Sequence, residues 1–153
     1  MSEARPVETF MGKAEIKEYL PHREPFLFVD RILEIERGQR VVAEKDVRSE
    51  EPWFEGHFPG NPVLPGVLVI EAMAQAAGVL AFWTEGVKGE GAAYFTSINK
   101  VRFRKPVVPG ETIRLELDLL RRRGKIWRFL GRAYVDGQLV AEGEVQALMG
   151  TAL

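Results

Sequence analysis

Two side chains in this sequence have the types and the surroundings that proton transfer requires. His57 lies in a segment rich in glycine and proline, and Glu71 lies in a segment that is otherwise almost entirely apolar. A carboxyl group among apolar residues is disfavoured in its ionised form, so we expect the pKa of Glu71 to be raised and the neutral acid to be favoured. A neutral imidazole and a protonated carboxylic acid form a workable general base and general acid.

Two neighbouring residues could assist this pair. Gln75 follows Glu71 by four positions, which places both on the same face of a helix and lets the amide orient the acid. Gly66 stands where the apolar segment begins, and the first amides of a helix lack intrahelical acceptors and carry the positive end of the dipole. A thioester or ester carbonyl placed there would have its developing enolate charge stabilised. The sequence therefore predicts a base, an acid and an oxyanion site.

Each of these residues also has a structural interpretation. A lone histidine in a loop is more often a structural hydrogen-bond donor than a catalyst, and Glu71 with Gln75 could be a satisfied polar pair in the core. We interpret the second histidine, His22, as a structural residue that caps or pins the loop before the first strand. The residues alone leave the catalytic and the structural interpretations of His57 and Glu71 open.

The elements that carry these residues differ in character. Residues 50–65, which include His57, hold four prolines and two glycines within sixteen positions, which predicts a tightly fixed loop. Residues 67–83 are apolar except for Glu71 and Gln75, which predicts a helix buried on all sides, starting near Pro65 and Gly66. A membrane-spanning helix is disfavoured, because a carboxylate in mid-segment is costly in lipid and basic flanks are lacking.

The rest of the chain is predicted to form a short helix and a sheet. The helix is expected at Lys13–Tyr19, where Pro21 stops it, and a hairpin at residues 26–36 and 40–47. Four more strands are expected at residues 92–103, 112–122, 126–135 and 139–148. Asp136 and Gly137 are a two-residue hairpin signal. One buried helix and five or six mostly antiparallel strands predict an α+β layer in which the sheet wraps the helix.

Composition excludes several classes of function. A chain of 153 residues fits a single domain at residues 1–153, with a core at about 16–148. The absence of cysteine excludes disulfides, thiol nucleophiles and cysteine-ligated metals, and two histidines exclude a three-histidine zinc site. A net charge of -1 gives no drive toward nucleic acid or anionic membranes. The N-terminus has no apolar core of a signal peptide, so we expect a cytoplasmic protein.

Four segments together closely resemble one enzyme family. They are LPHREPFLFVD at residues 20–30, GHFPGNPVLPG at 56–66, VLVIEAMAQAA at 67–77 and KVRFRKPVVPG at 100–110. In this order they resemble the (3R)-hydroxyacyl-(acyl-carrier-protein) dehydratases of bacterial type II fatty acid synthesis, over about residues 16–145. The resemblance implies the hotdog fold, with His57 and Glu71 catalytic. Glu71 in place of aspartate implies the branch that does not isomerise its product, and Asn99 departs mildly from the family pattern.

The resemblance also implies partners. The substrate is carried by an acyl carrier protein, and two subunits pair so that each site takes histidine from one and glutamate from the other; such dimers commonly stack into hexamers. Arg102, Arg104 and Lys105 become candidates for contact with the acidic carrier protein, although basic runs are most often solvated faces. Tyr94 and Phe95 become candidates to line or gate an acyl tunnel. No metal or organic cofactor is expected, because the thioester itself acidifies C2.

Two other functions remain as alternatives. A hotdog thioesterase would use the same scaffold, with an acid that activates water at the thioester carbonyl, and would release a free acid. A hotdog protein that binds acyl thioesters without turnover would need neither His57 nor Glu71. The length of the acyl chain depends on the depth of a tunnel, on which the sequence pattern is silent.

Overall fold

A computed structural model describes residues 9–89 and 91–151, except for the side chain of the last of these. The elements in chain order are α1 (Lys13–Tyr19), β1 (Arg31–Glu36), β2 (Arg40–Asp46), α2 (Gly66–Glu85), β3 (Gly91–Phe103), β4 (Thr112–Arg123), β5 (Ile126–Val135) and β6 (Gln138–Thr151). One turn of 3-10 helix, Pro52–Phe54, interrupts the loop before α2. Within this part of the chain the predicted elements are confirmed, with small shifts in their ends except at the start of the first strand.

The strands form one antiparallel sheet in the order β1-β2-β4-β5-β6-β3. Alternation along β4 decides which face is buried: Ile113, Leu115 and Leu117 are fully buried, and the residues between them are partly exposed. The buried face packs against α2, which contacts β2, β4, β5 and β6. The α+β prediction is therefore confirmed.

Helix α2 is the element around which the molecule is built. It begins at Gly66 directly after Pro65. It ends at Gly86, which adopts a left-handed conformation with φ 69° and whose backbone N–H donates to the carbonyl oxygens of Phe82 and Trp83. By length and composition alone this helix is apolar enough to cross a membrane. In the structure 67% of its most apolar stretch is buried inside the protein, so its apolar residues serve the core.

One strand prediction was wrong at its start. The hairpin was expected to begin at residue 26, but β1 begins at Arg31. The reason is that the backbone of Phe26 and Phe28 is bonded to a side chain of α2 instead of to a strand: the Phe28 amide donates to Gln75 Oε1 at 2.8 Å, and the Phe26 carbonyl accepts from Gln75 Nε2 at 2.8 Å. Hydrogen bonding to β2 begins at Asp30, whose amide donates to the Glu44 carbonyl at 2.9 Å. The turn at Asp136 and Gly137 is confirmed, with positive φ values of 49° and 77°.

Candidate active site

The loop before α2 holds His57 by reciprocal hydrogen bonds with Val63. The His57 carbonyl accepts from the Val63 amide at 2.9 Å, and the His57 ring Nδ1 lies 2.7 Å from the Val63 carbonyl oxygen. A carbonyl oxygen can only accept, so Nδ1 carries the proton in this contact. In the neutral imidazole Nε2 is then the unprotonated nitrogen, which is the state a general base needs. The ring also stacks on Phe58, with centroids 4.1 Å apart.

His57 lines a cavity of about 510 Å³ at the N-terminal end of α2. Gly66 and Val67, from the first turn of the helix, line the same cavity. No side chain caps this helix end. A Cβ on residue 66 would lie 2.7 Å from Cε1 of Phe103, so glycine lets that half-exposed ring pack directly on the helix backbone. The predicted base and the predicted oxyanion position therefore occupy one cavity.

Glu71 lies one and a half turns further along α2, where it is largely buried. Burial raises the pKa of its carboxyl group, and a hydrogen bond from Gln75 offsets part of that effect. Gln75 Nε2 donates to Glu71 Oε2 at 2.9 Å. Because Oε2 is occupied as an acceptor, the proton of the neutral acid is best placed on Oε1, which leaves that hydroxyl free to donate elsewhere.

Gln75 is the polar centre of this region. Its side chain is 1% exposed and makes three hydrogen bonds, two to the backbone of residues 26 and 28 and one to Glu71. The amide thereby ties the segment before β1 to the middle of α2 and orients the carboxyl group. The predicted helix-face contact between Gln75 and Glu71 is present.

The second histidine lies beside the acid. His22 Nε2 is 3.6 Å from Glu71 Oε2, and His22 Nδ1 is buried with no hydrogen-bond partner among the described residues. Burial lowers the pKa of His22, and the charge of Arg23 lowers it further, so the neutral ring is favoured. Sequence reasoning treated this residue as a loop pin and missed its place beside Glu71. No spacing signal links the two, because the contact depends on how the segment before β1 crosses α2.

Glu71, Gln75 and His22 line a cavity of about 120 Å³, which is separate from the cavity of His57. Phe95 of β3, one of the two residues predicted to line or gate an acyl tunnel, lines this cavity. Tyr94 is 39% exposed and does not line it. Within one chain, the predicted base and the predicted acid are thus not brought together.

The basic residues after β3 lie nearer to the histidine. Arg104 and Lys105 line the cavity of His57. Arg104 also contacts Glu142 at 3.2 Å, and Lys105 donates to Gln138 at 2.9 Å. Arg102, within β3, is paired in register with Glu142 of β6. Among the residues described, no group of three histidine, aspartate or glutamate side chains could hold a metal ion.

Comparison with known proteins gives matches over most of the chain. A family model described as a FabA-like domain matches residues 20–144. The 3-hydroxyacyl-(acyl-carrier-protein) dehydratase FabZ of Magnetococcus marinus is 53% identical over 136 residues, covering 88% of this chain and 88% of that protein. The protein of the same name from Syntrophotalea carbinolica is 54% identical over 134 residues, covering 88% of this chain and 91% of that protein.

A solved structure agrees with the fold. The dehydratase heterocomplex ApeI:P from Xenorhabdus doucetiae contains a chain that superimposes with a TM-score of 0.77 at 21% sequence identity. The match covers 89% of this chain and 91% of that one. At this level of identity the likeness concerns the fold alone.

Proposed function

The chain belongs to the FabA-like family of hotdog proteins, and we propose that it dehydrates (3R)-3-hydroxyacyl thioesters of an acyl carrier protein to trans-2-enoyl thioesters. The family resemblance noted in the sequence is confirmed, and four relatives that are 51–54% identical are named as 3-hydroxyacyl-(acyl-carrier-protein) dehydratases. The observation that carries the assignment to residues is the orientation of the two groups. The Val63 carbonyl engages His57 Nδ1, which leaves Nε2 turned to the cavity, and burial raises the pKa of the Glu71 carboxyl group toward the neutral acid.

The reaction balances with these two groups. His57 Nε2 takes a proton from C2, and the electron pair of that C–H bond moves into the thioester as an enolate. The first amides of α2, at Gly66, stabilise the negative charge on the carbonyl oxygen. Glu71 then donates its proton to the C3 hydroxyl, the C3–O bond breaks, and water leaves as the C2–C3 double bond forms. The resulting imidazolium and carboxylate return to their starting states by proton exchange.

A second copy of the chain would complete the site. Strand β3 lies at one edge of the sheet, and its exposed residues include Tyr94, Phe95 and Ile98. A long apolar edge strand has unpaired backbone groups that another strand can use. Antiparallel pairing of β3 with its own copy brings the first half of the strand in one subunit beside the second half in the other.

This pairing has a consequence for the two cavities. Phe95, in the first half of β3, lines the cavity of Glu71, and Phe103, at the end of β3, lines the cavity of His57. Pairing of the strands would therefore set the Glu71 cavity of one subunit beside the His57 cavity of its partner. Separation of base and acid within one chain supports this arrangement, in which each dimer holds two shared sites. Stacking of dimers into hexamers in the cytoplasm belongs to the same proposal.

The carrier protein would approach from the side of His57. Arg104 and Lys105 line that cavity, and Arg102 lies on the same strand end, so acidic groups of a carrier protein would meet three basic side chains there. The acyl chain would enter past these residues and Phe95. Tyr94, on the neighbouring position of the edge strand, would then contact the partner subunit or the entrance of the tunnel.

The test is product formation by the purified protein. (3R)-3-hydroxyacyl carrier protein is supplied, and the enoyl thioester is followed by ultraviolet absorbance and mass spectrometry. His57→Ala and Glu71→Gln are expected to lower kcat at least about 10²-fold, the lower range of general acid–base contributions. The control Glu55→Gln, an exposed loop position, should retain wild-type rates. Release of free acid and carrier thiol would instead establish the thioesterase alternative, and turnover by His57→Ala would refute the role of His57.

A further inference from the structure

A third cavity, of about 420 Å³, lies at the far end of α2 from His57. Ala81 and Phe82 of the helix, Trp127 of β5 and Met149 of β6 line it. Phe82 and Trp127 are nearly fully buried, at 3% and 2% exposure. Three charged residues also line it: Glu85 and Arg122, which form an ion pair with each other, and Lys125, which is exposed at the rim. The interior surface that remains for a ligand is therefore mostly apolar.

This cavity lies next to the one that contains Glu71 along α2. The residues of α2 that line the Glu71 cavity reach as far as Gly78, and those of the third cavity follow at Ala81, on the same helical face. The sheet continues in the same direction, because Phe129 lines the first cavity and Trp127, the next inward-facing residue of β5, lines the third. The two cavities are thus successive sections along one groove between helix and sheet.

Met149 stands between the two sections. Of the described residues it alone lines both cavities, and it is 6% exposed. Methionine is unbranched and flexible, so its side chain can change rotamer where a branched residue would not. The Glu71 cavity alone, at about 120 Å³, is smaller than the ~150 Å³ that accommodates benzene in an engineered core. Only a short apolar group fits there while the methionine stays in place.

We propose that Met149 is a specificity-determining residue that separates the acid's cavity from a distal compartment, and that long acyl chains occupy this compartment when its side chain moves aside. The inference rests on the proposed function, since the ligand is the acyl chain of the dehydratase substrate. With C3 of the substrate at Glu71, the chain would run along α2 past Gly78 and Met149 toward Phe82. Short chains end before Met149 and do not require the movement.

The experiment compares two chain lengths in two variants. For Met149→Phe, the ratio of kcat/KM for 3-hydroxytetradecanoyl over 3-hydroxyhexanoyl carrier protein should fall at least about tenfold. The basis is a loss of about fourfold for each methylene kept out of the compartment. For Met149→Ala the same ratio should rise. Met73→Ala removes a buried methionine of α2 that lines neither cavity and should leave the ratio within about twofold of wild type.

A binding measurement separates this inference from the proposed function. Dissociation constants of the full chain are measured for saturated hexanoyl and tetradecanoyl amide analogues of the pantetheine thioester, which cannot react. A shift of the Kd ratio in the Met149 variants would support the compartment. If the wild type also failed to turn over 3-hydroxyacyl carrier protein, the dehydratase assignment would be overturned while the compartment remained. Turnover by the wild type with unchanged kcat/KM and Kd ratios in both variants would overturn the inference about Met149. If Met149→Phe does not fold, an unchanged pair of ratios in Met149→Ala overturns it equally.

Discussion

Replacing Gln75 with leucine removes three hydrogen bonds at once while conserving most of the side-chain volume. The Phe28 amide, in a fully buried residue, loses its acceptor, and the Phe26 carbonyl and Glu71 lose their donor. A buried polar group left without a partner costs about 1–3 kcal/mol. The buried Phe28 amide would have no other partner and would bear the full penalty, whereas Phe26 is half exposed and water can hydrate its carbonyl. We therefore expect Gln75→Leu to lower the free energy of unfolding by about 2–4 kcal/mol.

The variant should also change the pH dependence of turnover. The hydrogen bond from Gln75 lowers the pKa of Glu71, against burial, which raises it. Without Gln75 the pKa of Glu71 rises further, so the acid stays protonated to higher pH. The alkaline limb of the kcat profile should consequently move to higher pH, and kcat should fall because the carboxyl group is no longer oriented.

Urea denaturation at one fixed protein concentration measures the first effect, and kcat profiles from acid to alkaline pH measure the second. Gln146→Leu is the matched control: this partly exposed glutamine on β6 donates to Thr96 and accepts from Arg128, groups that water can reach, so its loss should change stability by less than about 1 kcal/mol. A stability loss for Gln75→Leu no larger than that of the control would refute the role of Gln75 as the tie between α2 and the segment before β1. A downward shift of the alkaline limb would refute the account of the Glu71 pKa.

Two further predictions concern Gly66 and Glu71, both in the first half of α2. Gly66→Ala should destabilise by about 0.5–1.5 kcal/mol, because the new Cβ meets the Phe103 ring at 2.7 Å and displaces this half-exposed ring from its rotamer. In the Phe103→Ala background the loss in urea denaturation should disappear, and its persistence would contradict the steric cause. Glu71→Gln should be inactive. At pH values above the ordinary pKa of a glutamate side chain it should nevertheless be more stable than wild type, by roughly 0.5–2 kcal/mol, as for a single stabilising change. The sign follows from linkage: a raised folded pKa means that the wild type loses stability as pH rises from the unfolded to the folded pKa, and the uncharged amide does not. Equal urea midpoints at acid and alkaline pH for both proteins would contradict it.

Periodicity was sufficient to predict the elements whose residues alternate or repeat. The helix at Lys13–Tyr19 and the strand at Ile126–Val135 have the predicted ends, because Pro21 and the flanking turns limit them. The start of β1 was not predictable, because residues 26–30 have the composition of a strand, but the backbone groups of Phe26 and Phe28 bond Gln75 instead of a strand. Composition shows which secondary structure a segment can form, but tertiary contacts decide which hydrogen-bond partner its backbone takes.

The candidate site was predicted in its parts and not in its arrangement. The types of His57, Glu71 and Gln75 and their spacing identified the base, the acid and its helical neighbour. Two features depended on distant packing and had no local signal: the position of His22 beside Glu71, and the division of base and acid between two cavities. The first depends on how the segment before β1 crosses α2. The second has its proposed explanation in the pairing of β3 with its copy in a partner subunit.

The central claim is that base and acid in each site come from different subunits, and complementation between inactive variants tests it directly. His57→Ala and Glu71→Gln chains are produced together in one cell, so that subunits pair at random. A site formed from His57 of one chain and Glu71 of the other is intact in about a quarter of cases, because each of the two positions is wild type in half of the chains. The account predicts about a quarter of wild-type dehydration by the mixture. Activity no higher than that of either variant alone would contradict it.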